Sequence, residues 1–63
     1  MDELLLSVDE AARRLAVGRS HLYELLRRGD ILSVKCGRSR RVPVKALQDY
    51  AEARIAEAAE GLE

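Results

Sequence analysis

The sequence predicts a mainly α-helical fold carrying one small β-hairpin, and three observations predict it. Two short amphipathic stripes flank a break that contains Gly18. A β-branched stretch then runs on from Ile31 and turns back at Gly37. A long Ala- and Glu-rich helical pattern follows Pro43. The 63 residues are expected to make a single domain, 1–63, with its core over about 4–55, because two halves of that length would each be too small to close a core.

Ser7-Val8-Asp9-Glu10 has the form of a capping box, with Ser at the N-cap and Glu three positions on; such a box satisfies two of the amide donors left open at a helix start. Asp9 and Glu10 in the first turn, and Arg13 and Arg14 in the last, suit the helix dipole. Val8, Ala11, Ala12 and Leu15 recur at the spacing of one apolar face, which predicts a first helix over 8–15. Ala16-Val17-Gly18 is the break, and Gly18 can take the positive φ of a sharp turn. Leu22, Leu25 and Leu26 make a second stripe, closed by Gly29 just past its end, which predicts a second helix over 19–28. Two helices of under three turns, joined by about three residues containing glycine, form a helix-turn-helix pattern.

Ile31-Leu32-Ser33-Val34-Lys35-Cys36 alternates in part, Gly37-Arg38-Ser39-Arg40 turns the chain, and Arg41-Val42 returns it. This reads as a two-stranded hairpin with a basic tip. A lone hairpin is not stable in water, so Leu32, Val34 and Cys36 are expected to face the helices. Pro43 suits the first position of a third helix. Val44, Leu47, Ala51, Ile55 and Ala58 then hold a helical stripe with Tyr50 beside it, predicting a helix over 44–59, and Gly61-Leu62-Glu63 is expected to fray. Three helices plus a two-stranded wing make a winged helix-turn-helix.

Composition bounds the chemistry. Apolar residues are 48% of the chain, but nine of them are Ala and both Trp and Phe are absent. The core must come from ten Leu, five Val and two Ile. A core of this size rarely supplies more than roughly 3–5 kcal/mol, so a marginal fold that gains from a ligand or partner chain is expected. With one Cys and one His there is no internal disulfide, and neither a structural zinc nor any other cofactor is expected. Cys36 reads as inert packing on the inner face of the hairpin. Leu4-Leu5-Leu6 is too short for a signal peptide and follows Asp2 and Glu3. No apolar run approaches a membrane span, so a soluble, cytoplasmic protein with no membrane partner is expected.

The formal net charge of zero hides a strong asymmetry. Residues 1–18 carry a net −2, residues 19–45 a net +6 and residues 46–63 a net −4. A cationic middle between acidic ends calls for a polyanionic partner. On the second helix, Ser20, Glu24, Arg27 and Arg28 point away from the leucine stripe, with Arg19, His21 and Tyr23 on the flanks. The second helix of a helix-turn-helix lies in the major groove of duplex DNA with its N-terminal residues toward base edges. Arg19, Ser20, His21, Tyr23 and Glu24 are thus the candidates for the groove, and Arg27 and Arg28 the candidates for phosphates. The same residues have ordinary readings: Glu24 is placed to pair with Arg27 or Arg28, and His21 and Tyr23 could pack at the core edge. In the wing, Lys35, Arg38 and Arg40, with Ser39 between the last two, suit a phosphate backbone or a minor groove. The alternative is a solvated basic loop that blunts a sheet edge. Arg41, at the strand end, could instead pair with a core-edge carboxylate. Asp49, Glu52, Glu57 and Glu60 would be repelled by DNA, so the third helix should lie away from it. His21 lacks a sequence-near Ser or Cys partner with a supporting acid and there is no Gly-rich phosphate loop, so no enzyme activity is expected.

The runs Leu6-Ser7-Val8-Asp9-Glu10-Ala11-Ala12, Leu15-Ala16-Val17-Gly18-Arg19-Ser20 and Leu22-Tyr23-Glu24-Leu25-Leu26-Arg27-Arg28-Gly29 resemble the excisionase-type subgroup of the MerR-like winged helix-turn-helix domains. Val34-Lys35-Cys36-Gly37-Arg38 and Arg41-Val42-Pro43-Val44-Lys45-Ala46-Leu47 share the resemblance, which covers about residues 4–55. It implies that Arg19, Ser20, Tyr23, Glu24 and Arg27 read or grip DNA and that Arg38, Ser39 and Arg40 form the wing contact. It further implies a recombination directionality factor of a temperate phage or integrative element. Such a factor binds side by side with further copies of itself, bends DNA and directs an integrase toward excision. Gly18 departs from the family pattern, which often has a helix-capping residue there. A third helix that closes the chain, with no long coiled coil after it, favours the stand-alone type. Two other readings stay open: a small phage or plasmid transcriptional regulator, and a protein-interaction module that uses its basic wing to hold an acidic partner.

Overall fold

The computed structural model describes residues 4–61. The element order is β1 (Leu5–Ser7), α1 (Val8–Leu15), α2 (Arg19–Arg28), β2 (Val34–Cys36), β3 (Ser39–Pro43) and α3 (Val44–Glu60). The fold is a mainly helical winged helix-turn-helix, and the sheet is antiparallel with order β1-β3-β2.

Ser7 caps α1 as its side chain predicts, its Oγ accepting from the Glu10 amide at 3.1 Å. Only half of the capping box forms. The Glu10 carboxylate goes to Arg13 and Arg14 instead, since a charged donor holds a carboxylate better than a neutral amide does. The turn between α1 and α2 does not pivot on Gly18, whose backbone is extended at φ −69°. Its left-handed residue is Ala16, at φ 61°, whose amide closes the helix end onto the Ala12 and Arg13 carbonyls. Val17 then donates to Ala12 at 3.0 Å. Gly29 ends α2 in the left-handed conformation expected of it, φ 82°.

The hairpin is tighter than its sequence suggests. Cys36 pairs with Ser39, so Gly37 and Arg38 alone make the turn, and Ser39 and Arg40 belong to β3. Gly37 takes φ 61°, which a two-residue hairpin turn demands. The inward parity also differs. Val42 is fully buried; on its face lie Arg40, two residues back on β3, and Leu6, its register partner on β1. Val34 and Cys36 pair with Arg41 and Ser39 and share the opposite, outer face. Cys36 is an exposed free thiol rather than packing, and Leu32 is 66% exposed. Ile31 enters the core in their place, at 2% exposure.

β1 is the element with no local sequence signal. It pairs with β3 in the register Leu5 with Pro43, Leu6 with Val42 and Ser7 with Arg41, which makes the sheet three-stranded rather than a hairpin. Pro43 is the last residue of β3 and the N-cap of α3, extended at ψ 139°, and not the first residue of the helix. The Val44 amide donates to the Leu4 carbonyl at 3.0 Å, tying the start of α3 to the first strand. The core gathers Leu6, Val8, Ala11, Ala12, Leu22, Leu25, Ile31, Val42 and Leu47. α3 contributes through Val44, Ala46, Leu47 and Tyr50; beyond Ala51 its residues are exposed, Ile55 at 67% among them, so the expected stripe stops short of Ile55 and Ala58. Of the three residues expected to fray, Leu62 and Glu63 lie outside the described residues.

Candidate nucleic-acid interface

Leu22 and Leu25 are buried and Leu26 is half-buried, which fixes how α2 is rotated. At 100° per residue, Ser20, Glu24 and Arg27 crown the outer ridge. All three are exposed. Arg19 and Tyr23 lie on the flank toward the wing, and His21 and Arg28 on the flank toward α3. The clefts agree with this division. One of about 410 Å³ is lined by Tyr23, Leu26 and Arg27 of α2 and by Arg40 of the wing. Another, of about 480 Å³, brings His21 and Arg28 together with Tyr50, Arg54 and Glu57 of α3. The seven candidates on α2 therefore do not share one surface: Tyr23 and Arg27 line a cleft with Arg40 of the wing, Ser20 and Glu24 stand on the outer ridge, Arg19 lies toward Asp9 of α1, and His21 and Arg28 look onto α3.

Three arginines of α2 are held by the chain's own carboxylates. Arg19 Nε lies 3.0 Å from Asp9 Oδ1, Arg27 pairs with Glu24, and Arg28 Nη2 lies 3.4 Å from Asp30 Oδ2. The Arg19 guanidinium also stands 6.0 Å from the centre of the Tyr23 ring, within reach of a cation–π attraction. All these side chains are well exposed, so each pair contributes no more than about 1 kcal/mol to stability. The ordinary reading of Glu24 is thus realised in the free protein.

The wing is different. Among the described residues, no carboxylate stands within ion-pairing distance of Lys35, Arg38, Arg40 or Arg41, so the carboxylate partner considered for Arg41 is not found there. Lys35 and Arg40 face each other across the ladder. Arg40 Nη1 donates to Ser33 Oγ at 2.8 Å, which aims it along the cleft toward α2. Arg38 occupies the turn itself and Ser39 opens β3, both exposed. Asp9 and Ser33, the side chains that hold Arg19 and Arg40, have no sequence signal: one sits ten residues away on another helix and the other seven residues away in a loop. Among the described residues no group of His, Cys, Asp and Glu is placed to hold a metal ion, and no helix is long and apolar enough to cross a membrane.

A helix-turn-helix with a cationic wing beside its second helix defines a class of small domain, and comparison with known proteins agrees with the geometry. Residues 5–55 match the family of helix-turn-helix domains. A protein of Saccharopolyspora erythraea named a probable excisionase is 46% identical over 56 residues, 89% of this chain and 57% of its own length. An excisionase of Streptomyces ambofaciens is 43% identical over 54 residues, 86% of this chain and 87% of its own. The chain thus spans a little over half of the first relative and most of the second. No solved structure matches it. The chain belongs to the excisionase family of helix-turn-helix proteins.

Proposed function

We propose that this chain is a non-catalytic, sequence-specific double-stranded DNA-binding protein that acts as an excisionase, directing an integrase toward excision. The observation that carries the reading is the cleft between α2 and the wing, where Arg27 and Tyr23 face Arg40; Arg40 and Lys35, which stands opposite it on the ladder, have no carboxylate on them among the described residues. Like charges gathered without a carboxylate repel one another, and a phosphodiester strand lying along that cleft relieves them. With α2 in the major groove, Arg19, Ser20, Tyr23 and Glu24 reach base edges, Arg27 reaches the bordering phosphates, and Lys35, Arg38, Ser39 and Arg40 hold the backbone beyond. The names of its relatives support the excisionase role. Further copies of the chain on adjacent sites and an integrase are the partners this role requires, and the cytoplasm is where it would meet them.

Titration of duplex DNA over a salt series tests the reading. Counterion release predicts a log–log slope of about −0.9 per phosphate neutralised, so five contacts give about −4.5 and a roughly 500-fold loss of affinity between about 50 and 200 mM salt. Absence of duplex binding at low salt would sink the proposal and favour capture of an acidic protein partner. The excisionase role is tested separately, by adding the chain to an integrase and its attachment-site duplexes and measuring whether the excised product accumulates.

A further inference from the structure

We infer that Asp9 is a positioning residue for sequence readout: from the first turn of α1 it orients the guanidinium of Arg19 so that the free end of its fork is presented to a base. The inference rests on the DNA-binding reading above and adds to it a residue on the helix that does not enter the groove.

The position of Arg19 creates the need. It is the first residue of α2, where Gly18 offers no side-chain cap and no acid lies in the first turn. The backbone there carries the positive end of the helix dipole, so a cation is repelled outward and its long side chain is left without a preferred direction. Asp9 supplies the missing negative charge from outside the helix, with Oδ1 3.0 Å from Arg19 Nε. Asp9 is itself well seated: it lies in the first turn of α1, whose start is capped by Ser7, and a carboxylate is stabilised at that end. The Tyr23 ring borders the guanidinium from a second side at 6.0 Å.

Which nitrogen Asp9 takes decides the matter. Arg27 and Arg28 are engaged through Nη2, the end of the fork that would grip a ligand, so each must release its carboxylate first. Arg19 is engaged through Nε. That is the nitrogen nearest the stem of the side chain, and a bidentate grip on guanine O6 and N7 can use the terminal pair of donors. Arg19 is thus oriented without being consumed, which distinguishes it from the other arginines of α2. The pair is exposed on both sides, 67% and 61%, so it contributes little to stability, and its loss should be felt in recognition rather than in folding.

The test compares affinity for a duplex selected from a random pool by the wild-type chain with affinity for a scrambled duplex of equal length. Asp9→Asn should lower the ratio of the two about tenfold, within the discrimination one bidentate base contact provides. Asp9→Glu should recover most of it. Glu52→Gln, the same charge change on exposed α3, should leave the ratio unchanged and shift both affinities alike. In the double variant Asp9→Asn, Arg19→Lys, the Asp9 change should add nothing further, because Lys keeps the charge and lacks the fork. A ratio that survives Asp9→Asn in a protein with the wild-type melting temperature overturns the inference alone. Should Asp9→Asn fail to fold, Arg19→Lys with an unaltered ratio overturns it instead. A wild-type chain that binds no duplex overturns the DNA-binding reading and this inference with it.

Discussion

Lys35 and Arg40 stand opposite one another across the wing, in register and on one side of the sheet. Like charges directly opposed cost roughly 0.2–1 kcal/mol, and no described carboxylate relieves them. Ser33 takes one hydrogen bond from Arg40 but cannot neutralise it. The wing therefore holds a small electrostatic strain in the free protein that a phosphate removes.

Lys35→Thr should expose that trade. Thr suits a strand and ends the repulsion, so stability to urea should rise by about 0.5 kcal/mol. Duplex affinity should fall for every sequence alike, with the salt slope shallower by about 1. Loss of stability on this substitution would mean that the lysine stem packs on the sheet, and an unaltered salt slope would remove Lys35 from the interface.

The turn between α1 and α2 carries its glycine at the wrong residue for stability. Ala16 sits at φ 61°, a conformation that costs an alanine roughly 1–2 kcal/mol. Gly18 is extended, and a Cβ there would meet nothing within 4 Å. Ala16→Gly should therefore stabilise by about 0.5–1 kcal/mol, net of the freedom glycine adds to the unfolded chain. Gly18→Ser should add about 0.5 kcal/mol as an N-cap. Each should raise the melting temperature by roughly 2–8 °C in a domain of this size. A lower melting temperature for Gly18→Ser would show that the start of α2 needs its backbone unhindered.

How legible each element was follows from where its cause lies. The two helices of the motif could be read to the residue because a local apolar period and local end signals, Ser7 and Gly29, specify them. β1 could not, because Leu5–Ser7 becomes a strand only by pairing with residues 41–43, some 36 positions away. The hairpin was legible but its parity was not. The apolar alternation of Leu32, Val34 and Cys36 suggests an inner face, whereas the buried anchors are Ile31 and Val42. A slip of one residue exchanges the faces, which is how Lys35 and Arg40 come to lie on the inner side, past the edge of the core. At the site, projection of α2 found its outer ridge. It could not separate His21 and Arg28 from the rest, since that depends on where α3 packs.

Leu6 and Ile55 should respond oppositely to truncation although both lie in apolar patterns. Leu6 is fully buried between β3 and the helices, and Leu6→Ala should cost about 2–5 kcal/mol, comparable with everything a core this small provides. The variant should be largely unfolded by circular dichroism at 25 °C. Ile55 is 67% exposed on the outer half of α3, so Ile55→Ala should change stability by no more than about 0.5 kcal/mol. A large loss at Ile55 would mean that another chain covers that half of α3 in solution.

Glu24 poses the sharpest choice at the interface, because its two roles predict opposite signs. It crowns the outer ridge of α2 and pairs with Arg27 in the free protein. If that pairing is its whole purpose, Glu24 acts as a counterion that DNA must displace, and Glu24→Gln should tighten binding to specific and scrambled duplexes alike. If its carboxylate accepts a hydrogen bond from cytosine N4, the same change should weaken the specific site by roughly 5–100-fold while still tightening the scrambled one. The geometry favours the second outcome. Arg27 can swing to a phosphate once DNA arrives, which leaves Glu24 facing the groove floor with no other cation of the ridge on it. A carboxylate kept there without a base to receive it would face repulsion from the phosphates on both sides. Measuring both affinities for the one variant, at one salt concentration, separates the cases: a uniform gain would reduce Glu24 to a counterion, and opposed shifts would make it a reader of sequence.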